Sequence, residues 1–215
     1  AKGQATSQRE IGLSLYRTTP GVRVLEAYNA ARELYAEAEA SLEEGDILVD
    51  IGLVYYSILE DPDRALACFE EAREIFEREG YVRGLTRSYG NAGAQYYSLG
   101  KYEQALEHHA RANALARESG DRRLMATSYG AMGQCELALC RYSPALLHLQ
   151  EELRISREID DRYLQELCFE NLGILYLTLG SWDQSLEHMQ SALDLARQAG
   201  NSVGEAAGSY DIAGV

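Results

Sequence analysis

No run of apolar residues in this chain approaches the roughly 18 that a membrane-crossing helix requires, although 46% of its 215 residues are apolar. The polar start, Ala1-Lys2-Gly3-Gln4, leads into no apolar segment with a cleavage site, so no signal peptide is expected. Basic residues are in short supply: 20 against 34 acidic ones leave a net charge of −14. Nucleic acid demands a basic footprint that displaces counterions, so it is not expected as a partner, and anionic membranes are disfavoured. The same charge suits partners of basic character and keeps the surface solvated. Lysine is scarcest, two residues against 18 arginines, a skew that a GC-rich genome and a salt-adapted host explain equally well. The four cysteines, Cys68, Cys135, Cys140 and Cys168, form no Cys-x-x-Cys pair, which points to reduced thiols and a cytoplasmic location. Nucleophile–base sets, phosphate loops and metal-ligand spacings are missing too, so neither catalysis nor a cofactor is expected.

What the chain does have is a period of 40 residues. Tyr89-Gly90-Asn91-Ala92-Gly93 returns as Tyr129-Gly130-Ala131-Met132-Gly133 and again as Phe169-Glu170-Asn171-Leu172-Gly173. Ala105-Leu106, Ala145-Leu146 and Ser185-Leu186 keep the same step. A fixed period of this size marks a solenoid, in which each unit buries one face on its neighbours and cannot stand alone. Within Leu85 to Gly120, Tyr89, Ala92, Gly93 and Tyr96 fall on one helical stripe, and Gly100 closes that helix. A second helix carries Tyr102, Ala105, Leu106, His109, Ala112, Leu115 and Ala116 on its apolar face and stops at Ser119-Gly120. The stop recurs at Gly80, Asp160 and Gly200; Pro62 and Pro144 fall in helix first turns, where a missing N–H matters least. Cys68, Cys135 and Cys168 lie on apolar faces as small core residues, whereas Cys140 stands where neighbouring units carry Gly100 and Gly180, as a partly exposed thiol in a turn. Gly52, Gly93, Gly133 and Gly173 are matched by Ala65, Ala105, Ala145 and Ser185 on the second helices, and close approach of the two backbones is the expected return for a mid-helix glycine.

These residues resemble the tetratricopeptide (TPR) repeat: an aromatic, two residues, Leu-Gly, two residues, Tyr, then Ala-x-x-x-Phe on the second helix. Phe169-x-x-Leu172-Gly173-x-x-Tyr176 matches the first half, and Ile51-Gly52-x-x-Tyr55 with Ala65-x-x-x-Phe69 matches both halves conservatively. The resemblance, over about Ile11 to Val215, implies an all-α fold, a right-handed superhelix of stacked antiparallel helix pairs. Hairpins are expected at about 9–45, 46–80, 81–119, 120–159 and 160–199, with a partial unit at 200–215 whose first helix begins at Ser202. In the first hairpin Ile11-Gly12 and Tyr16 mark the opening helix, and Leu25, Tyr28, Leu34, Tyr35, Ala38 and Leu42 a longer second one. The single array 1–215 is expected to be a piece of a longer protein. Its period exceeds the usual length of roughly 34, and the proline that closes the common second helix is missing. Longer helices with Gly-Asp-type turns (Gly120-Asp121, Asp160-Asp161) resemble the subclass of the Pins/LGN cell-polarity adaptors, with similar forms in kinesin light chains and bacterial sensor arrays.

Opposite the packing stripe each first helix has a second face, and in a stacked array these faces line the concave side. They comprise Asp50, Leu53 and Tyr56; Arg87, Gly90, Asn91, Ala94 and Tyr97; Thr127, Gly130, Ala131, Gln134 and Leu137; and Leu167, Glu170, Asn171, Ile174 and Leu177. Asn pairs with an extended backbone, Arg forks onto a carboxylate, and Gly90 and Gly130 leave room for a ligand backbone. The candidate peptide groove is therefore Asp50, Arg87, Gly90, Asn91, Tyr97, Gly130, Gln134, Glu170 and Asn171. The Arg87–Gly93 stretch resembles the Pins-type first helix, which implies that Arg87 and Asn91, with Asn171 at the matching place, hold the main chain and acidic side chains of a peptide; Thr127 and Ala131 interrupt the clamp.

His108, His148 and His188 stand 40 apart beside His109. Stacked helices lie roughly 8–10 Å apart, too far for two such rings to share one zinc, so they read as a consensus ladder, with His109 in the core slot of Phe69, Leu149 and Met189. Acid pairs such as Glu43-Glu44, Glu70-Glu71 and Glu151-Glu152 read as helix surface. The favoured function is a scaffold that binds another protein through an extended or helical peptide; a ligand-sensing array within a bacterial regulator and a recruiting segment of a larger enzyme are the alternatives. Fraying at Tyr210–Val215, or self-association through that exposed C-terminal helix, is also expected.

Overall fold

The computed structural model describes residues 1–16 and 21–201, and among them every regular element is a helix. In order they are α1 (Lys2–Tyr16), α2 (Gly21–Glu37), α3 (Ser41–Ser57), α4 (Pro62–Glu79), α5 (Val82–Ser98), α6 (Tyr102–Ser119), α7 (Arg122–Ala138), α8 (Tyr142–Glu158), α9 (Arg162–Thr178) and α10 (Trp182–Ala199). The chain forms two compact units, Ala1–Leu115 and Ala116–Val215, with the boundary inside α6. In the first unit α1 pairs with α2 and α3 with α4, each hairpin packs on the one before, and α3 touches α5 directly. In the second, α7 pairs with α8 and α9 with α10, α8 packs on α9, and α7 lies against α9. Both are stacked helical hairpins of the α-solenoid kind. The expected helix from Ser202 and the tail Tyr210–Val215 lie outside the described residues.

The turns generate the period. Left-handed φ recurs at every twentieth residue: Glu60, Gly80, Gly100, Gly120, Cys140, Asp160, Gly180 and Gly200. After most of them the next N–H reaches back to close the helix, as Tyr81 does to the Phe76 carbonyl, Lys101 to Tyr96 and Arg141 to Glu136, at 2.9, 2.9 and 2.8 Å. The residue that makes this bond also starts the following helix. Asp61, Asp121 and Asp161 accept from the N–H groups of Arg64, Leu124 and Leu164 at 3.0, 3.1 and 3.2 Å. Two consecutive residues thus end one helix and cap the next, and helices of 17 or 18 residues follow at a constant step. Cys140 occupies its turn with φ +58 and is exposed.

The first hairpin departs from expectation. α2 stops at Glu37, and Leu42, placed in a long second helix by the sequence pattern, lies in α3. Glu39 turns the chain with φ +51, and the Ala40 N–H bonds the Tyr35 carbonyl at 2.9 Å. A turn made without glycine left no mark in the pattern.

The glycines of the first helices accommodate side chains more than backbones. A Cβ on Gly52 would stand 2.5 Å from the Phe69 ring; on Gly93, Gly133 and Gly173 it would meet His109, Leu149 and Met189, each at 2.7 Å. Gly12 faces Tyr28 in the same way. Ala65, Ala105, Ala145 and Ser185 are fully buried alongside, and the Ser185 hydroxyl donates to the Gly173 carbonyl at 2.9 Å. Each slot is a large side chain seated on a glycine, and fully burying Phe69 or Leu149 contributes roughly 1.5–3 kcal/mol. No helix among the described residues is long and apolar enough to cross a membrane.

Candidate functional site

In the first unit the outer faces of α1, α3 and α5 are joined by ion pairs. Arg9 on α1 donates to Asp50 on α3 through Nε and Nη2, at 2.8 and 2.7 Å. Arg87 on α5 donates from Nη1 to Asp46 at 2.8 Å and lies 4.0 Å from Asp50. Asp50 therefore sits between two guanidinium groups with 12% of its side chain exposed. Burial pushes its carboxyl above the ordinary value, against the pull of Arg9 and Arg87. The arginine singled out as a carboxylate fork is already engaged by Asp46, which the sequence reading passed over; Asp46 stands one turn before Asp50 on the same helix face.

Next to Arg87 the surface of α5 is bare. A Cβ built on Gly90 meets nothing within 4 Å. Asn91 is half-buried beside it, and Tyr97, 36% exposed, packs its ring on Tyr102 with centroids 5.2 Å apart.

The corresponding places in the second unit look different. Gln134 on α7 donates from Nε2 to Asn171 Oδ1 on α9 at 3.3 Å, so two expected groove residues do meet across successive hairpins. Asn171 is buried and Glu170 half-buried. Gly130, expected to stay open for a ligand, is covered: its Cβ position is taken by the carboxyl of Glu152. Glu152, read from sequence as helix surface, is 2% exposed. Its neighbour Glu151 is the surface acid of the two, paired with Arg154 at 2.7 Å. The repeat register held the missed signal, because Glu152 falls where α4, α6 and α10 have Ala72, Ala112 and Ala192. Glu136, likewise buried, stands where other first helices carry Tyr55, Tyr96 and Tyr176.

The histidine ladder is a packing device. His108 lies between Tyr89 and Tyr96, with ring centroids 5.7 and 4.9 Å away, and His188 between Phe169 and Tyr176 at 5.8 and 5.3 Å. His148 stands 6.0 Å from Tyr129. Burial lowers the pKa of all three, and pushes buried His109 down to about 4. Among the described residues no three His, Cys, Asp or Glu side chains are grouped to hold a metal.

Residues 85–158 match the tetratricopeptide repeat family. The fold is that of TPR solenoids. Aspartyl phosphate phosphatase F from Bacillus subtilis superposes with a TM-score of 0.87 at 15% identity, covering 97% of this chain and 54% of its own. A Rap protein complexed with competence and sporulation factor gives 0.81 at 17%, covering 95% of this chain and 57% of that one. The TPR sensor-bearing STAND ATPase of Pyrococcus horikoshii gives 0.83 at 15%, covering 97% and 32%. The chain thus spans about half the length of the first two and a third of the last, and at such identities the likeness is one of TPR fold. Among curated proteins none matches the chain in sequence.

Proposed function

We propose that this TPR array is a non-catalytic interaction module that holds a peptide segment of a partner protein against its first-helix faces. Gly90 carries the reading. A mid-helix glycine costs up to about 1 kcal/mol relative to alanine. The glycines at positions 12, 52, 93, 133 and 173 each recover this by seating a large side chain, whereas among the described residues nothing fills the space at Gly90. A bare helix surface between Arg87 and Asn91 suits the close approach of another backbone. The Pins-type resemblance of Arg87–Gly93 supports the same role for Asn91 and, at the matching place in the second unit, for Asn171 with Gln134. Arg87, held by Asp46, would present its remaining N–H groups to an acidic side chain. Asp50, Tyr97, Gly130 and Glu170 line or support these faces, and a cytoplasmic location belongs to the same reading.

Fold likeness to a Rap protein complexed with competence and sporulation factor, and to a TPR sensor, favours a second form of it: the peptide is a signal, and the array belongs to a regulator. Selection of binders from a random-peptide library tests both forms. An enriched peptide is expected to lose at least about tenfold in affinity to Gly90→Leu and to Asn91→Ala. Equal binding to both variants would move the site elsewhere. Failure to enrich any peptide, with a small molecule raising the melting temperature, would replace the peptide by that ligand.

A further inference from the structure

The fourth hairpin exchanges two places of the repeat. Ala72, Ala112 and Ala192 are buried alanines on the second helices, and at the same register α8 has Glu152. On the first helices Glu170 holds the place that is Gly130 on α7 and Gly90 on α5, each three residues before its slot glycine. Compared with the fifth hairpin the acid stands on the second helix and not the first, and it reaches into the space left by the glycine. There the Glu152 carboxyl lies beside Cys168 of α9, whose thiol donates to the Leu149 carbonyl at 3.1 Å, and Glu152 Oε2 is buried with no hydrogen-bond partner.

We propose that this contact is a proton-dependent latch: protonated Glu152, seated over Gly130 and beside Cys168, holds α7, α8 and α9 together, and its ionisation loosens them. A carboxylate with one oxygen unpartnered cannot stay in so dry a place, because losing its hydration is not repaid by a cation or a set of donors. Among the described residues the groups facing it are few. α7 presents the backbone of Gly130, α9 presents the Cys168 thiol, and Arg157, on α8 itself, acts on that thiol. Burial raises the Glu152 carboxyl to about 8, opposed by the neighbouring Cys168, and raises the thiol above its own ordinary value. An acid raised in the folded state contributes stability that is complete below its ordinary value of 4.5 and is lost as pH climbs to about 8. Gln134 is one turn from Gly130 on α7, and Asn171 one turn from Cys168 on α9. The latch therefore acts on the two turns that present the amide pair, and this last step rests on the peptide-binding reading.

The test uses the full chain without ligand, so that its failure is separate from a failure of peptide binding. Hydrogen exchange corrected for its intrinsic pH dependence, and thermal unfolding, are followed from pH 6 to 9 for the wild type, Glu152→Gln and Glu152→Ala. The alanine variant recreates the Gly90–Ala112 combination of the third hairpin, and it keeps the test open if the glutamine variant folds poorly. Wild type is expected to lose protection in peptides from α8 and α9 as pH rises, while those from α3 and α4 hold, and its melting temperature falls by several degrees. Both variants should show a flat profile in α8 and α9. A wild type without that loss, or variants that retain it, would overturn the latch.

Discussion

The faces of α1, α3 and α5 in the first unit are tied together by charge, with Arg9, Asp50, Arg87 and Asp46 forming a chain of ion pairs across three helices. In the second unit α7 and α9 are tied in mid-helix by a neutral amide pair, Gln134 to Asn171, over the buried acid Glu152, and their charged link, Arg123 to Asp161, lies out at the helix starts. The same repeat thus carries two kinds of seam. A charged seam answers to salt and to loss of either partner; a seam of neutral amides over a buried acid answers to pH.

Removing one partner from the charged seam should have the largest effect. Arg9→Ala leaves Asp50, 12% exposed, facing only the guanidinium of Arg87 at 4.0 Å. Breaking a fully buried pair costs roughly 3–5 kcal/mol, and partial exposure reduces this to about 2 kcal/mol. Urea unfolding should show that loss, and Arg9→Ala/Asp50→Asn should restore much of it because no lone charge remains. Equal instability of the single and double variants would mean that Arg9 matters for its packing and not for its charge.

The next effect compares one substitution at the same repeat place in both units. Gly90→Ala adds a methyl to open space and should raise stability by up to about 1 kcal/mol. Gly130→Ala has the same helix gain but must displace the Glu152 carboxyl, so it should fall short of Gly90→Ala by about 1 kcal/mol at pH 6 and flatten the pH profile of the second unit. Matching gains from the two changes would show that Glu152 leaves its niche freely.

The hairpin architecture was legible because its signals are local and repeated: Gly-x-x-Tyr stripes, a glycine at most turns, a large residue in each slot. His109 could be assigned to the slot of Phe69, Leu149 and Met189 from register alone, and the structure seats it on Gly93. The first hairpin was misjudged because Glu39 makes its turn without glycine. The proposed binding face was only partly legible. Helical spacing put Gln134 and Asn171 on one face, and they meet. Spacing could not reveal that Asp46 engages Arg87 or that Glu152 covers Gly130, since Asp46 was not among the residues placed on that face and Glu152 comes from the second helix. Glu152 was misread as surface because acids usually are; its register with three buried alanines was the stronger clue.

The smallest expected effect lies in the amide seam itself. The Gln134–Asn171 bond is neutral and 3.3 Å long, and such a bond contributes about 0.5–1 kcal/mol. Gln134→Ala and Asn171→Ala should each cost about that much, the second slightly more because Asn171 is 8% exposed and its amide would vanish from a drier place. In a double-mutant cycle the two changes should be non-additive by about 0.5 kcal/mol. Additivity would mean that the amides face outward independently, as ligand-binding groups with no structural tie, and α7 and α9 would then be held by Glu152, the packed core and the Arg123–Asp161 pair.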